Sequence, residues 1–132
     1  METAAISKSR LWTGRVMSWF AILFLLFDAT LKFIKPPAVI ETTVNELGYA
    51  EHHIIVMGIL GLSVTILYLI PKTSILGAVL LTGYLGGAIA THLRVDNPLF
   101  SHMLFPVYIG ILVWGGIWLR DERLRALFPF KK

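Results

Sequence analysis

Any chemistry in this chain has to come from a few polar side chains set into apolar stretches. Asp28 and Lys32 stand four apart, one helical turn, so a carboxylate and an ammonium share a face and can pair or trade protons with a ligand. His92 and Arg94 are two apart, about 200° around a helix, so at most one of them points squarely at a common site. His52 and His53 are adjacent, and His102 follows a short break after Arg94. Together these types suit a ligand with an apolar body and a polar head. A quinone fits: a histidine or lysine would hold its carbonyl, and Asp28 would exchange its protons. His92 and His102 also offer axial ligands for a haem, although two histidines near helix ends are a poor signature for one. No spacing matches a zinc or copper ligand motif, and no nucleophile elbow, P-loop or dinucleotide fingerprint occurs. With no cysteine, the chain cannot by itself house a thiol relay, an iron–sulfur cluster or a thiolate-ligated haem.

The elements that must position these groups follow from composition. Of 132 residues, 56% are hydrophobic and only 15% charged, against roughly 25% charged in soluble proteins; mean hydropathy is +0.73. Four apolar spans stand out, 16–34 (its helix starting near Trp12, hence 12–34), 53–70, 75–93 and 99–119. Each is near the roughly twenty helical residues that cross a bilayer. Asp28 and Lys32 are the only Asp, Glu, Lys or Arg within 16–34 and the other three spans. The expected fold is therefore all-α: a four-transmembrane-helix bundle, residues 1–132 forming a single integral membrane domain. Such a composition excludes disorder, a nucleic-acid-binding module and a sizeable water-soluble catalytic domain. The N-terminal arm and first span resemble a secretory signal, but three more spans follow without a convincing cleavage site, so a retained helix is expected.

Nine of the twelve basic residues (Lys8, Arg10, Arg15, Lys72, Arg120, Arg123, Arg125, Lys131 and Lys132) fall on one side of these spans. The positive-inside rule then places both termini in the cytoplasm, most simply of a bacterial cytoplasmic membrane, with the basic residues meeting lipid head groups. Trp12 and Trp118 fit the inner aromatic belt, and Trp114 and Trp118 form one aromatic face. Pro71-Lys72-Thr73-Ser74 is a tight turn with Ser74 as the expected N-cap of the third helix. The first connection is the long one. After Pro36-Pro37, Val39, Ile40, Thr43, Val44 and Leu47 recur at helical spacing until Gly48, which predicts a short amphipathic helix on the outer face with Glu41 and Glu46 turned to water. A lid over the bundle and an interfacial strap are equally compatible with that pattern. In the third span Gly83 and Gly87 form a G-x-x-x-G pair, which predicts close helix packing inside the bundle. Pro106 predicts a kink in the fourth span.

On this arrangement the polar groups of every helix converge at the outer level, while the inner half holds only hydroxyls. An ionised group within a span costs roughly 2.5–3.5 kcal/mol on insertion scales and so needs a reason. One reading is a half-buried pocket lined by Asp28, Lys32, His92, Arg94 and His102, with Arg94 as the inward member of its pair because it continues the Gly87–Thr91 face. Another is a set of structural ion pairs with solvated histidines. Function divides the same way: a membrane subunit supporting redox or quinone-linked chemistry, or a non-enzymatic scaffold or assembly factor docking a partner through the Gly-rich third helix; a protein partner and a homo-oligomer are both open. Whether the chain is catalytic stays open.

Particular strings carry a resemblance. Gly77-Ala78, Thr82-Gly83-Tyr84-Leu85-Gly86-Gly87-Ala88 and His92-Leu93-Arg94, with Asp28 and Lys32, Leu47-Gly48-Tyr49, Ile70-Pro71-Lys72-Thr73 and Trp114 through Asp121, resemble the DoxX-like membrane proteins. The likeness runs from about Arg10 to Pro129. It implies a four-helix membrane bundle. The family takes its name from the small membrane subunit of a thiosulfate:quinone oxidoreductase, and the resemblance implies an association with membrane redox complexes.

Overall fold

A computed structural model of the protein describes residues 6–131, and every regular element among them is helical. The first helix, α1 (Lys8–Ile34), starts ahead of Trp12 because Ser7 caps it, its hydroxyl accepting from the Arg10 amide. It ends at Lys35, whose left-handed backbone (φ 54°) returns the amide to the Leu31 carbonyl before Pro36-Pro37 blocks continuation. Next, α2 (Pro37–Ile40) widens into a π-helical turn, Glu41–Glu46, and Gly48 at φ 81° lets the chain reverse. This is the helix expected in the long connection: Thr43 is buried while Glu41, Asn45 and Glu46 are exposed.

Two further helices, α3 (His52–Leu69) and α4 (Ser74–Arg94), are joined by one 3₁₀ turn, Pro71–Thr73. Thr73 rather than Ser74 occupies the cap position of α4. The Ser74 hydroxyl instead donates to the carbonyls of Tyr68 (2.8 Å) and Ile70 (3.0 Å), so it ties the turn to the end of α3. The fourth span departs from expectation. A π-helical stretch, Leu99–Met103, precedes α5 (Phe105–Arg120), and Pro106 lies in the first turn of α5 rather than at an internal kink. In that position its missing N–H costs no helical hydrogen bond. The short α6 (Glu122–Leu127) is capped by Asp121, whose Oδ1 accepts from the amides of Arg123 and Leu124.

The four long helices form a ring in which α1 lies between α3 and α5, and α4 closes the other side. Both ends of the described chain share one end of the bundle, where Arg10 Nη2 meets Glu122 Oε1 at 2.7 Å. That end is called here the terminal end, and the opposite one, under the α2 connection, the cap end. Ala21, Ile22, Leu25, Leu81, Leu85, Ile109, Val113 and Ile117 fill the centre. Large apolar side chains such as Phe20, Leu23, Phe27, Leu60, Val79 and Ile111 point outward and are exposed. All four spans are long and apolar enough to cross a membrane. An apolar exterior of this extent is stable only in lipid, and the protein is an integral membrane protein.

Close helix approach occurs, but not where the G-x-x-x-G pair predicts. A Cβ on Gly77 would collide with the Tyr68 backbone, and one on Gly116 would collide with Ser18 Oγ and lie 2.9 Å from Ser18 N. By contrast, a Cβ on Gly83 or Gly87 would meet nothing within 4 Å, and both residues are exposed. Leu81 and Leu85 take the inward positions of α4, and Gly83 lies about 200° from each. The expectation that Gly83 and Gly87 pack inside the bundle is thus corrected: periodicity defines two faces, and the bulkier leucines fill the core.

Candidate functional site

At the cap end, Asp28 and Lys32 form an ion pair along α1. The Lys32 side chain is only 17% exposed, because its stem packs on Gly58 of α3. Tyr84 of α4 leans over Gly61 with its hydroxyl donating weakly to the Met57 carbonyl (3.4 Å), within electrostatic reach of Asp28 and Tyr49. Glycines at 58 and 61 give α3 a shallow face, and this is what lets a lysine stem and a tyrosine ring lie between helices. Overhead the cap connection is fastened to α4. The hydroxyls of Tyr49 and Thr91 bond at 2.5 Å, and the Arg94 guanidinium stands 3.2 Å from where a Cβ on Gly48 would be. Carboxylate and ammonium from α1 and a phenol from α4 thus gather against α3 beneath a fastened connection, a set able to donate to and accept from a carbonyl-bearing ligand.

The remaining members lie apart from this group. His92 Nδ1 accepts from Asn97 Nδ2 (2.8 Å), and its ring contacts that of His102 edge-on at 5.7 Å. His102 is exposed, its Nδ1 bonded to the Ser101 hydroxyl at 2.7 Å. Among the described residues neither histidine nor Arg94 makes a hydrogen bond or ion pair with Asp28 or Lys32. Arg94 is exposed and serves the cap, which corrects its placement as an inward group: Thr91 and Arg94 meet the cap connection, while Gly87, one turn earlier, stays open. His52 and His53 are exposed.

The sequence profile of the DoxX-like family matches residues 16–116, most of the chain, from within the first span to within the fourth. The chain belongs to the DoxX-like family. Neither a curated protein nor a solved structure matches it. The matched stretch of this DoxX-like protein includes Asp28, Lys32, Tyr49, Tyr84, Thr91 and His92, but stops short of Arg120.

Arg120 belongs to a second polar group, at the terminal end of the DoxX-like bundle, where hydroxyls alone are expected. Tyr68 donates to the Val113 carbonyl (2.6 Å) and shares a 2.7 Å hydrogen bond with Ser18, both residues being buried. Arg120 turns back into the bundle: Nε donates to the Gly116 carbonyl (2.9 Å) and Nη2 to Ser18 Oγ (2.8 Å). A terminal arginine ordinarily extends toward water, which is why sequence reasoning passes over it. The available signal is the pairing of small residues, Gly14 and Ser18 on one helix with Gly116 one turn before Arg120 on another. That pairing brings the helices close enough for the network.

Proposed function

We propose that this DoxX-like protein is a membrane subunit that supports quinone-linked redox chemistry, with Asp28, Lys32 and Tyr84 as its ligand-binding and proton-exchanging group. The observation that carries this reading is that the Asp28–Lys32 pair lies within one helix. An ion pair retained as glue joins two helices; this one joins none, yet bears the insertion cost of two charges. A quinone, when bound, accepts two electrons and two protons; a partner redox protein would supply the electrons. Lys32 and Tyr84 would hold the ring's carbonyl by hydrogen bonds, and Asp28 would pass protons. The latched Tyr49–Thr91 connection would limit water. Nine of the twelve basic residues support an orientation with the termini in the cytoplasm and the cap outside.

Titration of purified protein with decylubiquinone, followed by tryptophan quenching, tests the reading. Wild type should saturate, and Asp28→Asn and Lys32→Met should each weaken binding about tenfold or more, the loss of one charge-assisted hydrogen bond. Equal binding by all three proteins defeats it.

A second reading has its own observation. The exposed Gly83–Gly87 face is open to another helix, which supports a scaffold that docks a partner or a second copy. Energy transfer between labelled copies in liposomes should then fall on Gly87→Leu and persist in Asp28→Asn. No transfer in the wild type removes the self-association form of this reading.

A further inference from the structure

Beneath Arg120 lies a hollow of about 420 Å³ at the terminal end of the bundle. Ser18, Ile22, Tyr68 and Ile117 form its buried floor; Trp19, Lys72 and Ile75 are on its exposed rim. Two cationic residues line it, Arg120 from α5 and Lys72 from the α3–α4 turn, together with Ser18, Tyr68 and Ser74, whose hydroxyls are bonded within the protein. Among the described residues one acid lines it, Asp121, whose Oδ1 is engaged in capping α6. Neither Arg120 nor Lys72 makes an ion pair among the described residues, and the nearby Glu122 is bonded to Arg10.

A guanidinium carries five N–H donors. Arg120 uses one on the Gly116 carbonyl and one on Ser18, and these two bonds hold the group facing inward. Three donors remain without a protein acceptor among the described residues. An arginine at this depth can reach water by straightening. That it is instead fixed over a hollow shared with a lysine, where Asp121 turns its Oδ1 to the α6 amides, leaves guanidinium donors for a tetrahedral oxyanion.

We infer that the hollow is a phosphate-binding site, in which Arg120 and Lys72 hold a phosphate group carried either by a phospholipid head group or by a soluble phosphate. The rim of Trp19 and Ile75 would lie along the apolar part of a lipid, whereas the floor serves either source. This site is separate from the Asp28–Lys32 group and does not depend on its function.

Two arms distinguish the sources. In the first, detergent-solubilised full-length protein is titrated with inorganic phosphate against chloride at matched ionic strength, and the rise in unfolding midpoint gives the affinity. In the second, protein reconstituted with phosphatidylglycerol or with phosphatidylcholine is released from lipid nanodiscs and weighed for retained phospholipid. Saturable phosphate binding, or retention of phosphatidylglycerol over phosphatidylcholine, supports the site and names its source. Arg120→Gln should weaken that binding about thirtyfold or more, as the loss of a largely buried charge contact, and Lys72→Gln a few-fold. Lys131→Gln, away from the hollow, should change nothing. Binding in neither arm, or undiminished binding in Arg120→Gln, overturns the inference. If Arg120→Gln does not fold, Lys72→Gln, exposed on the turn, decides: an unchanged affinity overturns it.

Discussion

Replacing Gly116 by alanine tests whether the helix contacts described here hold the bundle together. A Cβ at this position would stand 2.9 Å from Ser18 N and 3.0 Å from the Gly14 carbonyl, both backbone atoms that cannot swing aside. Restoring ordinary contact distance requires α1 and α5 to part by roughly half an ångström, and an inserted methyl(ene) in a tight core costs about 1–3 kcal/mol. Ser18 Oγ lies directly in the way and can avoid the methyl only by abandoning Tyr68 and Arg120. Two interhelical hydrogen bonds in a membrane bundle add about 0.6 kcal/mol each. Alanine's better helix propensity returns about 0.5–1 kcal/mol. The net loss is about 2 kcal/mol. Gly86→Ala is the matched control, since its added Cβ meets nothing within 4 Å and only the propensity gain remains. Reversible unfolding in mixed detergent–lipid micelles, with the helical circular-dichroism signal as readout, should separate the two variants by about 2–3 kcal/mol. Equal stability would refute the claim that α1 and α5 are in backbone contact at Gly14, Ser18 and Gly116.

Three further outcomes follow from the same coordinates. Tyr49→Phe removes the hydrogen bond to Thr91 that fastens the cap; amide exchange across Glu41–Glu46 should quicken about threefold to tenfold with little change in the global midpoint. Glu122→Gln weakens an ion pair whose side chains are each 31% exposed. It should cost less than about 1 kcal/mol, an effect that fades in high salt. Gly77→Val places branched carbons against the Tyr68 backbone at the tight α3–α4 turn. A loss of about 3 kcal/mol or more in the same unfolding assay is expected, and a well-folded Gly77→Val protein would contradict the turn geometry.

The spans and their order were legible because a bilayer imposes a length and excludes charge, and both constraints act on local sequence. Ser74 and Pro106 show the limit of that legibility. Each is a strong local signal, for a cap and for a kink, but the actual role was set by one or two residues of register at the helix start. The Gly83–Gly87 pair failed for a different reason. In water the apolar face of a helix must turn inward, whereas in lipid either face is satisfied, so the pattern cannot say which one packs. Asp28 and Lys32 were found together because their pairing is intrahelical. The cap's latch through Tyr49 and Thr91 joins residues 42 apart in sequence, and no local spacing encodes it. Arg120 was hidden by a general tendency of terminal arginines to reach for water, which the small residues at 14, 18 and 116 override here.

The central claim is that the Asp28–Lys32 pair is kept for a ligand and not for the fold. The doubly neutral variant Asp28→Asn, Lys32→Met bears directly on it, because removing both charges spares the bundle the cost of an orphaned one. Its unfolding midpoint should equal or exceed that of the wild type while saturable decylubiquinone binding disappears. A variant that loses stability yet keeps the wild-type affinity for the quinone would contradict the account.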